Sequence, residues 1–394
     1  MKIVMTGGGS GGHITPILAV AHELKRQDPN TQIIYIGQKG DHLSDVPAAD
    51  PSIDSVYEVS AGKLRRYADE GWKQWLNVRV QILNMRDACR VVAGLWQSFW
   101  LLHRLKPDVI FTRGGFVSVP VALGGRLNGI PYITHDSDSV PSLANRLIAR
   151  WAQLHAVALP AALYPYPAAK TVVVGVPVNA QYQAVTPRLR AHYRAELDMP
   201  KDAEVIFVTG GGNGARVLNE ALVANARYLL GTFPNLVIVH IAGRMFEAET
   251  NQAYDALQLG ATRKHIRVHG FTPGLAAYSG AADVVVTRGG ATTLAEFAVQ
   301  GVACLIVPSK QLGWNIKNAQ ILADQQAALL LNEDQIEQPE RLGRTIGELL
   351  SNQARCSQLA HNLSAYAHPH AAVELAELIL KVAGGEEGHV RAKK

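Results

Sequence analysis

Cysteine is scarce in this chain: Cys89, Cys304 and Cys356 are the only three, far apart and set in apolar or helix-like stretches. There is no Cys-x-x-Cys pair and no histidine-rich cluster, so neither a disulfide framework nor a structural zinc site is implied. A reducing compartment is the simple reading. Long apolar runs are also lacking. The most apolar long stretch, Val91 to Leu102, is interrupted by Gln97 and Ser98 and is too short to span a bilayer. No secretory leader is recognisable, because Met1-Lys2-Ile3-Val4-Met5 reads straight into a strand and a glycine loop. The expectation is a protein that is soluble or bound to a membrane surface. Nor does one sign of charge dominate. A net charge of +5 suits an anionic partner without choosing among nucleic acid, nucleotide and acidic lipid.

What is present is alternation. At 394 residues the chain is long enough for two domains, and 48% hydrophobic against 18% charged residues fits a folded protein, not a disordered one. Ile3-Val4-Met5 precedes a glycine loop and a predicted helix Ile17 to Arg26. Ile33 to Ile36, Val109 to Phe111, Tyr132 to Thr134 and Thr171 to Val174 follow as strand-like runs. The pattern restarts at Val205 to Val208 and continues through Leu236 to Val239, Val284 to Val286 and Cys304 to Val307. Short apolar strands separated by helices predict an α/β fold with doubly wound parallel sheets, here in two similar halves. The expected division is 1–176 and 177–368, with a last helix at 369–383 completing the first half. A charged, glycine-rich tail, 384–394, is expected to be disordered.

Each half opens on a glycine loop. Gly7, Gly9 and Gly12 fit G-x-G-x-x-G, and Gly210, Gly212 and Ala215 fit G-x-G-x-x-A, each with a strand before and a helix after. Such a loop brings backbone N–H groups and a helix N-terminus up to an anion. It also serves as a tight packing turn. A dinucleotide enzyme would need an acid near the end of the second strand of each half. After Ile36 comes Gly37-Gln38-Lys39-Gly40, and after Val239 comes His240-Ile241-Ala242-Gly243-Arg244, so neither half supplies it. His13 directly follows the first loop, at the carboxyl edge of the first strand, where an acid–base role competes with simple backbone binding. The third constellation is Thr287-Arg288-Gly289-Gly290-Ala291-Thr292-Thr293-Leu294-Ala295-Glu296. Its small residues open a helix able to receive a diphosphate, and Glu296 sits where a carboxylate can hold ribose hydroxyls or merely complement the helix dipole.

A further stretch, Gly71 to His103, mixes Trp72, Trp75, Leu76, Val80, Leu83, Trp96, Phe99 and Trp100 with Lys73, Arg79, Arg86 and Arg90. Aromatic and basic residues together suit a membrane interface. Spacing alone leaves that reading level with a buried helix face backed by a solvated basic side.

These residues resemble the MurG family, the glycosyltransferase family 28 enzymes that convert lipid I to lipid II. Gly7-Gly8-Gly9-Ser10-Gly11-Gly12-His13-Ile14-Thr15-Pro16 is similar to the family's opening loop, and Ala61-Gly62-Lys63-Leu64-Arg65-Arg66-Tyr67 to its basic segment. Gly114-Gly115-Phe116-Val117-Ser118-Val119-Pro120, the second glycine loop with Asn213, and Arg288 to Glu296 match as well. The resemblance implies a GT-B fold of two Rossmann-like domains facing a cleft. It implies inverting transfer of N-acetylglucosamine from UDP-GlcNAc to lipid I, without metal or cofactor, on the cytoplasmic face of the cell membrane. The partners implied are UDP-GlcNAc, lipid I and an anionic membrane surface, not nucleic acid. His13 is implied as general base or orienting group, and Asp136, which stands where the family has glutamate, as a second candidate. Donor contacts are implied at Ser10, Gly11, Gly12, Asp138, Asn179, Gly212, Asn213, Thr272, Ala291, Thr292, Thr293, Leu294, Ala295, Glu296 and Asn315. Acceptor or membrane contacts are implied at Arg65, Arg66, Trp72, Trp75 and Arg79. The chain departs from the family pattern at His135-Asp136-Ser137-Asp138, at Val176 and Asn179 in the hinge, at Gly212 in place of serine and at Asn315 in place of glutamine. Rival readings are a UDP-GlcNAc 2-epimerase on the same fold, an NAD-dependent oxidoreductase, disfavoured by the missing acids, and a non-catalytic lipid-binding protein.

Overall fold

A computed structural model describes residues 1–8, 11–41, 44–63, 78–212, 214–272 and 274–385, without the side chains of 11, 78 and 79. Arg65, Arg66, Trp72, Trp75, Ser10 and Asn213, together with the Arg79 side chain and most of the tail, lie outside the described residues. The chain divides into two compact units, 1–178 with the C-terminal segment from His370, and Asn179–Pro369.

The first unit is built on seven parallel strands: β1 (Lys2–Thr6), β2 (Gln32–Gln38), β3 (Ser55–Val59), β4 (Val109–Thr112), β5 (Tyr132–Asp136), β6 (Leu154–Val157) and β7 (Thr171–Val173). Their spatial order is β3-β2-β1-β4-β5-β6-β7. The central strands are buried on both faces, as a sheet covered by helices on each side requires. Ile3 and Met5 pack on one side with Ile17, Val20 and Leu24 of the helix Gly11–Gln27, and Val4 packs on the other with Ile110 and Val121. The C-terminal helix Ala371–Ala383 adds Leu375, Ile379 and Val382 to the first of these layers.

The second unit repeats the plan with six parallel strands: β8 (Val205–Thr209), β9 (Val237–Ile241), β10 (Ile266–His269), β11 (Val284–Thr287), β12 (Cys304–Ile306) and β13 (Leu329–Leu330), in the order β10-β9-β8-β11-β12-β13. Both sheets reverse direction of winding between their first and fourth strands. That switch point opens a crevice at the carboxyl ends of those two strands, where open α/β sheets take ligands. Register lines the two up closely: Thr6 pairs with Thr112 in the first sheet, and Thr209 with Thr287 in the second. The four loops that follow these threonines carry nearly every motif read from the sequence.

Two expectations change. The first helix starts at Gly11, not Ile17, and so takes His13 and Pro16 inside it. Four strands, β3, β6, β10 and β13, were not expected. Their residues explain this: β3 and β10 are largely half-buried or exposed, β6 contains His155, and β13 is two residues long. None of them offers the continuous apolar run by which a buried parallel strand is recognised.

Candidate active site

At the first switch point, the loop after β1 lies against the turn Gly114-Gly115 that follows β4. A side chain at Gly115, whose φ is +85°, would come within 2.8 Å of the Gly8 carbonyl, so only glycine permits this approach. The Tyr35 hydroxyl donates to the Gly7 carbonyl from β2. His13 is half-buried in the first turn of its helix. Its Nδ1 lies 3.1 Å from the Arg113 carbonyl. A carbonyl only accepts, so Nδ1 carries the proton and Nε2 is the basic nitrogen. Burial, then the neighbouring Arg113 guanidinium, pulls the imidazole pKa down to about 4, against the opposing effect of the carbonyl bond. The ring is therefore neutral at pH 7.

Arg113 was not singled out in the sequence, yet it organises this site. It is 4% exposed. Its Nη2 donates to the Gly12 carbonyl at 3.0 Å and its Nη1 to His135 Nδ1 at 2.8 Å, while His135 Nε2 donates to the Gly175 carbonyl at 2.8 Å. Burial lowers its pKa to about 10, countered by Asp138 and then Asp136. The available signal was its position at a strand end, immediately before two glycines.

Asp136 is engaged on both oxygens. Its Oδ1 accepts from the Ser142 N–H at 3.0 Å, and its Oδ2 accepts from the Tyr166 hydroxyl at 2.6 Å. Both oxygens thus hold the entry to the short helix Leu143–Ile148 and a tyrosine. Burial raises its pKa, partly offset by these bonds. Asp136 thus braces the chain from Ser142 to Tyr166. Asp138 is half-buried; its carbonyl accepts from the Tyr164 hydroxyl and its carboxylate supports Arg113.

At the second switch point the glycine loop closes on itself. Gly211 donates its N–H to Thr209 Oγ1, and Gly214 donates to the Gly211 carbonyl. Gly214 has φ +73°, and a side chain there would meet the Ala242 carbonyl at 2.2 Å. Gly212 is exposed with open space around it. Across the crevice the helix Ala291–Gln300 starts at Gly290, a residue with no side chain to cap it. Ala291, Thr292, Thr293 and Ala295 are half-buried, whereas the Leu294 side chain joins the core. The loop before this helix is pinned by a buried ion pair, Arg288 Nη1 to Glu333 at 2.7 Å, and by Asn318, whose Nδ2 donates to the Gly289 carbonyl.

Glu296 is 8% exposed, and burial raises its pKa to about 8, offset in part by a hydrogen bond from the Tyr182 hydroxyl. Tyr182, missed in the sequence, is set by the turn at Asn179, whose carbonyl accepts the Tyr182 N–H and whose Oδ1 accepts the Gln181 N–H. Asn179 is thus occupied in shaping that turn. Asn315 is buried, with its backbone N–H on the Leu312 carbonyl and its side-chain amide bonded to no described residue. Thr272 is half-buried beside Phe271, an exposed ring with the Arg244 guanidinium 4.5 Å above it.

Of the aromatic and basic stretch, the described part is the helix Val78–Leu105. Val80 is buried, and Leu83 and Phe99 are half-buried. Ile82, Met85, Val92, Trp96 and Trp100 are all more than half exposed, and their spacing of three, four or seven residues lines them along one face. Arg86, Arg90 and Arg104 are exposed on the same helix. Among the described residues, no helix is long and apolar enough to cross a membrane.

Residues 3–157 match the glycosyltransferase family 28 N-terminal domain, and residues 205–375 match its C-terminal domain. A Bacillus thuringiensis protein named UDP-N-acetylglucosamine–N-acetylmuramyl-(pentapeptide) pyrophosphoryl-undecaprenol N-acetylglucosamine transferase 3 is 33% identical, over 93% of each chain. The protein of the corresponding name from Symbiobacterium thermophilum is 30% identical over 97% of this chain and 96% of its own. The crystal structure of Acinetobacter baumannii MurG superposes with a TM-score of 0.72 at 26% identity, over 96% of this chain and 99% of that one. A UDP-GlcNAc 2-epimerase from Neisseria meningitidis shares the fold at 13% identity, with a TM-score of 0.65 over 97% of this chain and 100% of its own. Two all-parallel Rossmann-like sheets, a glycine loop at each switch point, and matches that cover both halves lead to one assignment: the chain belongs to glycosyltransferase family 28, with the GT-B fold.

Proposed function

We propose that this protein transfers N-acetylglucosamine from UDP-GlcNAc to the 4-hydroxyl of the N-acetylmuramyl residue of undecaprenyl-pyrophosphoryl-MurNAc-pentapeptide, giving lipid II. The observation that carries the chemistry is His13: a neutral imidazole whose Nδ1–H is spent on the Arg113 carbonyl. Its Nε2 is left as the acceptor for a hydroxyl proton. The acceptor oxygen attacks the anomeric carbon from the face opposite UDP. The new C–O bond forms as the bond to the diphosphate breaks, and the proton passes to Nε2. A weak base suits such a step, because the hydroxyl becomes strongly acidic only once the C–O bond is forming at an oxocarbenium-like carbon. An anionic substrate nearby also raises the imidazole pKa above its value in the empty site.

The second unit supplies the donor site. The uncapped N-terminus of the helix at Ala291, Thr292 and Thr293, with the open glycine loop at Gly212, meets the diphosphate charge that grows on departure. This is the work a metal does elsewhere, so transfer is expected to persist in EDTA. Glu296 holds the ribose hydroxyls, the exposed Phe271 beside Thr272 offers a flat face to the uracil, and the unpaired amide of Asn315 reads the sugar. The first unit receives the acceptor. Its exposed stripe from Ile82 to Trp100, with arginines on the same helix, lies on an anionic membrane surface on the cytoplasmic side. Vesicle binding is expected to need anionic lipid, to weaken with salt, and to be lost in a Trp96→Ser, Trp100→Ser double variant that melts like the native protein.

The experiment is incubation with labelled UDP-GlcNAc in EDTA, with and without lipid I. Label should enter lipid only when the acceptor is present. Release of a free epimer, or labelled lipid only after Mg²⁺ or Mn²⁺ is restored, overturns the reading.

A further inference from the structure

Proline inside a helix normally costs a hydrogen bond and crowds the carbonyl four residues back. Pro16 lies in the helix Gly11–Gln27, so the Gly12 carbonyl has no N–H to receive from position 16. That carbonyl accepts instead from Arg113 Nη2, at 3.0 Å. The same guanidinium is fixed from the other side by His135, itself fixed to Gly175. The Arg113 main chain is tied to β1 through its N–H, which donates to the Thr6 carbonyl, and its own carbonyl takes the His13 Nδ1–H. One residue thus grips the first turn of the helix at two points, Gly12 by side chain and His13 by main chain.

We infer that Arg113 and Pro16 form a clamp that holds His13 in its Nδ1–H tautomer with Nε2 basic, making Arg113 a positioning residue for proton transfer. The inference rests on the proposed role of His13. Free histidine has no such fixed tautomer, and loosening the clamp lets the ring rotate or exchange its proton. The charged groups around it are consistent with this. Arg113 faces His13 from just past β4, backed by Asp136 at the end of β5 and Asp138 beyond it, and Tyr35 of β2 and Asp41 after β2 face the loop at Gly8. A lysine at 113 would keep the cation but lose the planar fork that reaches Gly12 and His135 together.

The test uses the full-length protein and two variants. Arg113→Lys retains charge, and Pro16→Ala restores the competing N–H at position 16 while removing a helix-breaking residue. Long-range ¹H–¹⁵N NMR of His13, assigned by its loss in His13→Ala, reads the tautomer without any substrate. The native protein should show the Nδ1–H form at pH 7, and both variants a mixture. Turnover should fall about 10–100-fold in Arg113→Lys and about 2–10-fold in Pro16→Ala, with UDP affinity unchanged. A single Nδ1–H tautomer and native turnover in both variants would overturn the clamp. If instead His13→Ala turns over normally, the role of His13 as base fails, while the NMR result still judges the clamp.

Discussion

The two glycine loops stand at the same place in two sheets of the same winding, yet they are held in different ways. The first is held by side chains that reach in from neighbouring strands, Tyr35 onto Gly7 and Arg113 onto Gly12. The second is held by its own backbone and one threonine, with Gly211 and Gly214 in left-handed conformations. The difference suits the work proposed for each. A loop whose following helix presents one imidazole in one tautomer needs external bracing. A loop that must leave its N–H groups open to an anion is better closed by short internal bonds that leave its rim clear.

The comparison can be broken most severely within the second loop. Gly214→Val places a β-branched side chain at φ +73° and into the Ala242 carbonyl, and should cost about 3 kcal/mol or more, read as a fall in the urea midpoint. Gly212→Ser, in open space two residues away, should change stability by no more than about 0.5 kcal/mol. Equal costs at the two positions would mean that the loop is not closed in the way described.

Next in size is the donor carboxylate. Glu296→Ala should weaken UDP-GlcNAc binding by about 1.5–3 kcal/mol, and the loss should vanish for a 2′,3′-dideoxy donor. An equal loss with both donors would assign Glu296 to its helix alone. Its ionisation gives a second reading. A carboxyl raised from 4.5 to about 8 binds its proton more tightly when folded. The stability this contributes is complete below pH 4.5 and is lost as pH rises through about 8. Urea midpoints of the native protein should carry that decline between pH 5 and 8.5, and those of Glu296→Gln should lack it. Nucleotide binding has the opposite sign, because ribose hydroxyls favour the ionised form, so affinity should rise over the same range.

The smallest effect belongs to Asn315. Its side chain is one methylene shorter than the glutamine that the resemblance to the family leads one to expect there. Asn315→Gln should raise the kcat/KM preference for UDP-GlcNAc over UDP-GalNAc by about 1 kcal/mol, one net hydrogen bond. An unchanged ratio would show that another residue reads the sugar.

Much of this was legible beforehand, and what was not has physical reasons. The strands at the centre of each sheet announced themselves as unbroken apolar runs, because they are buried on both faces. Glycine loops and the Arg288–Glu296 motif are local, so their spacing survives in the sequence. Arg113 and Tyr182 act through partners that only the fold brings close: β4 must pair with β1 before Arg113 meets Gly12, and Asn179 must turn before Tyr182 meets Glu296. Asp136 was legible as an acid at a strand end, but not as one already occupied by Ser142 and Tyr166. The amphipathic helix was readable as a pattern, while the choice between buried and exposed faces was not. Exposure separates Val80 from Trp96 and Trp100 on that same helix.

The division of labour between the two loops is tested most directly by measuring turnover and UDP-GlcNAc affinity together in His13→Ala. A proton acceptor in the helix after the first loop and a donor site in the second unit predict a turnover roughly 10²–10⁴-fold lower with the donor bound as tightly as in the native protein. Native turnover, or a loss of donor affinity that accounts for the whole decline, would contradict it.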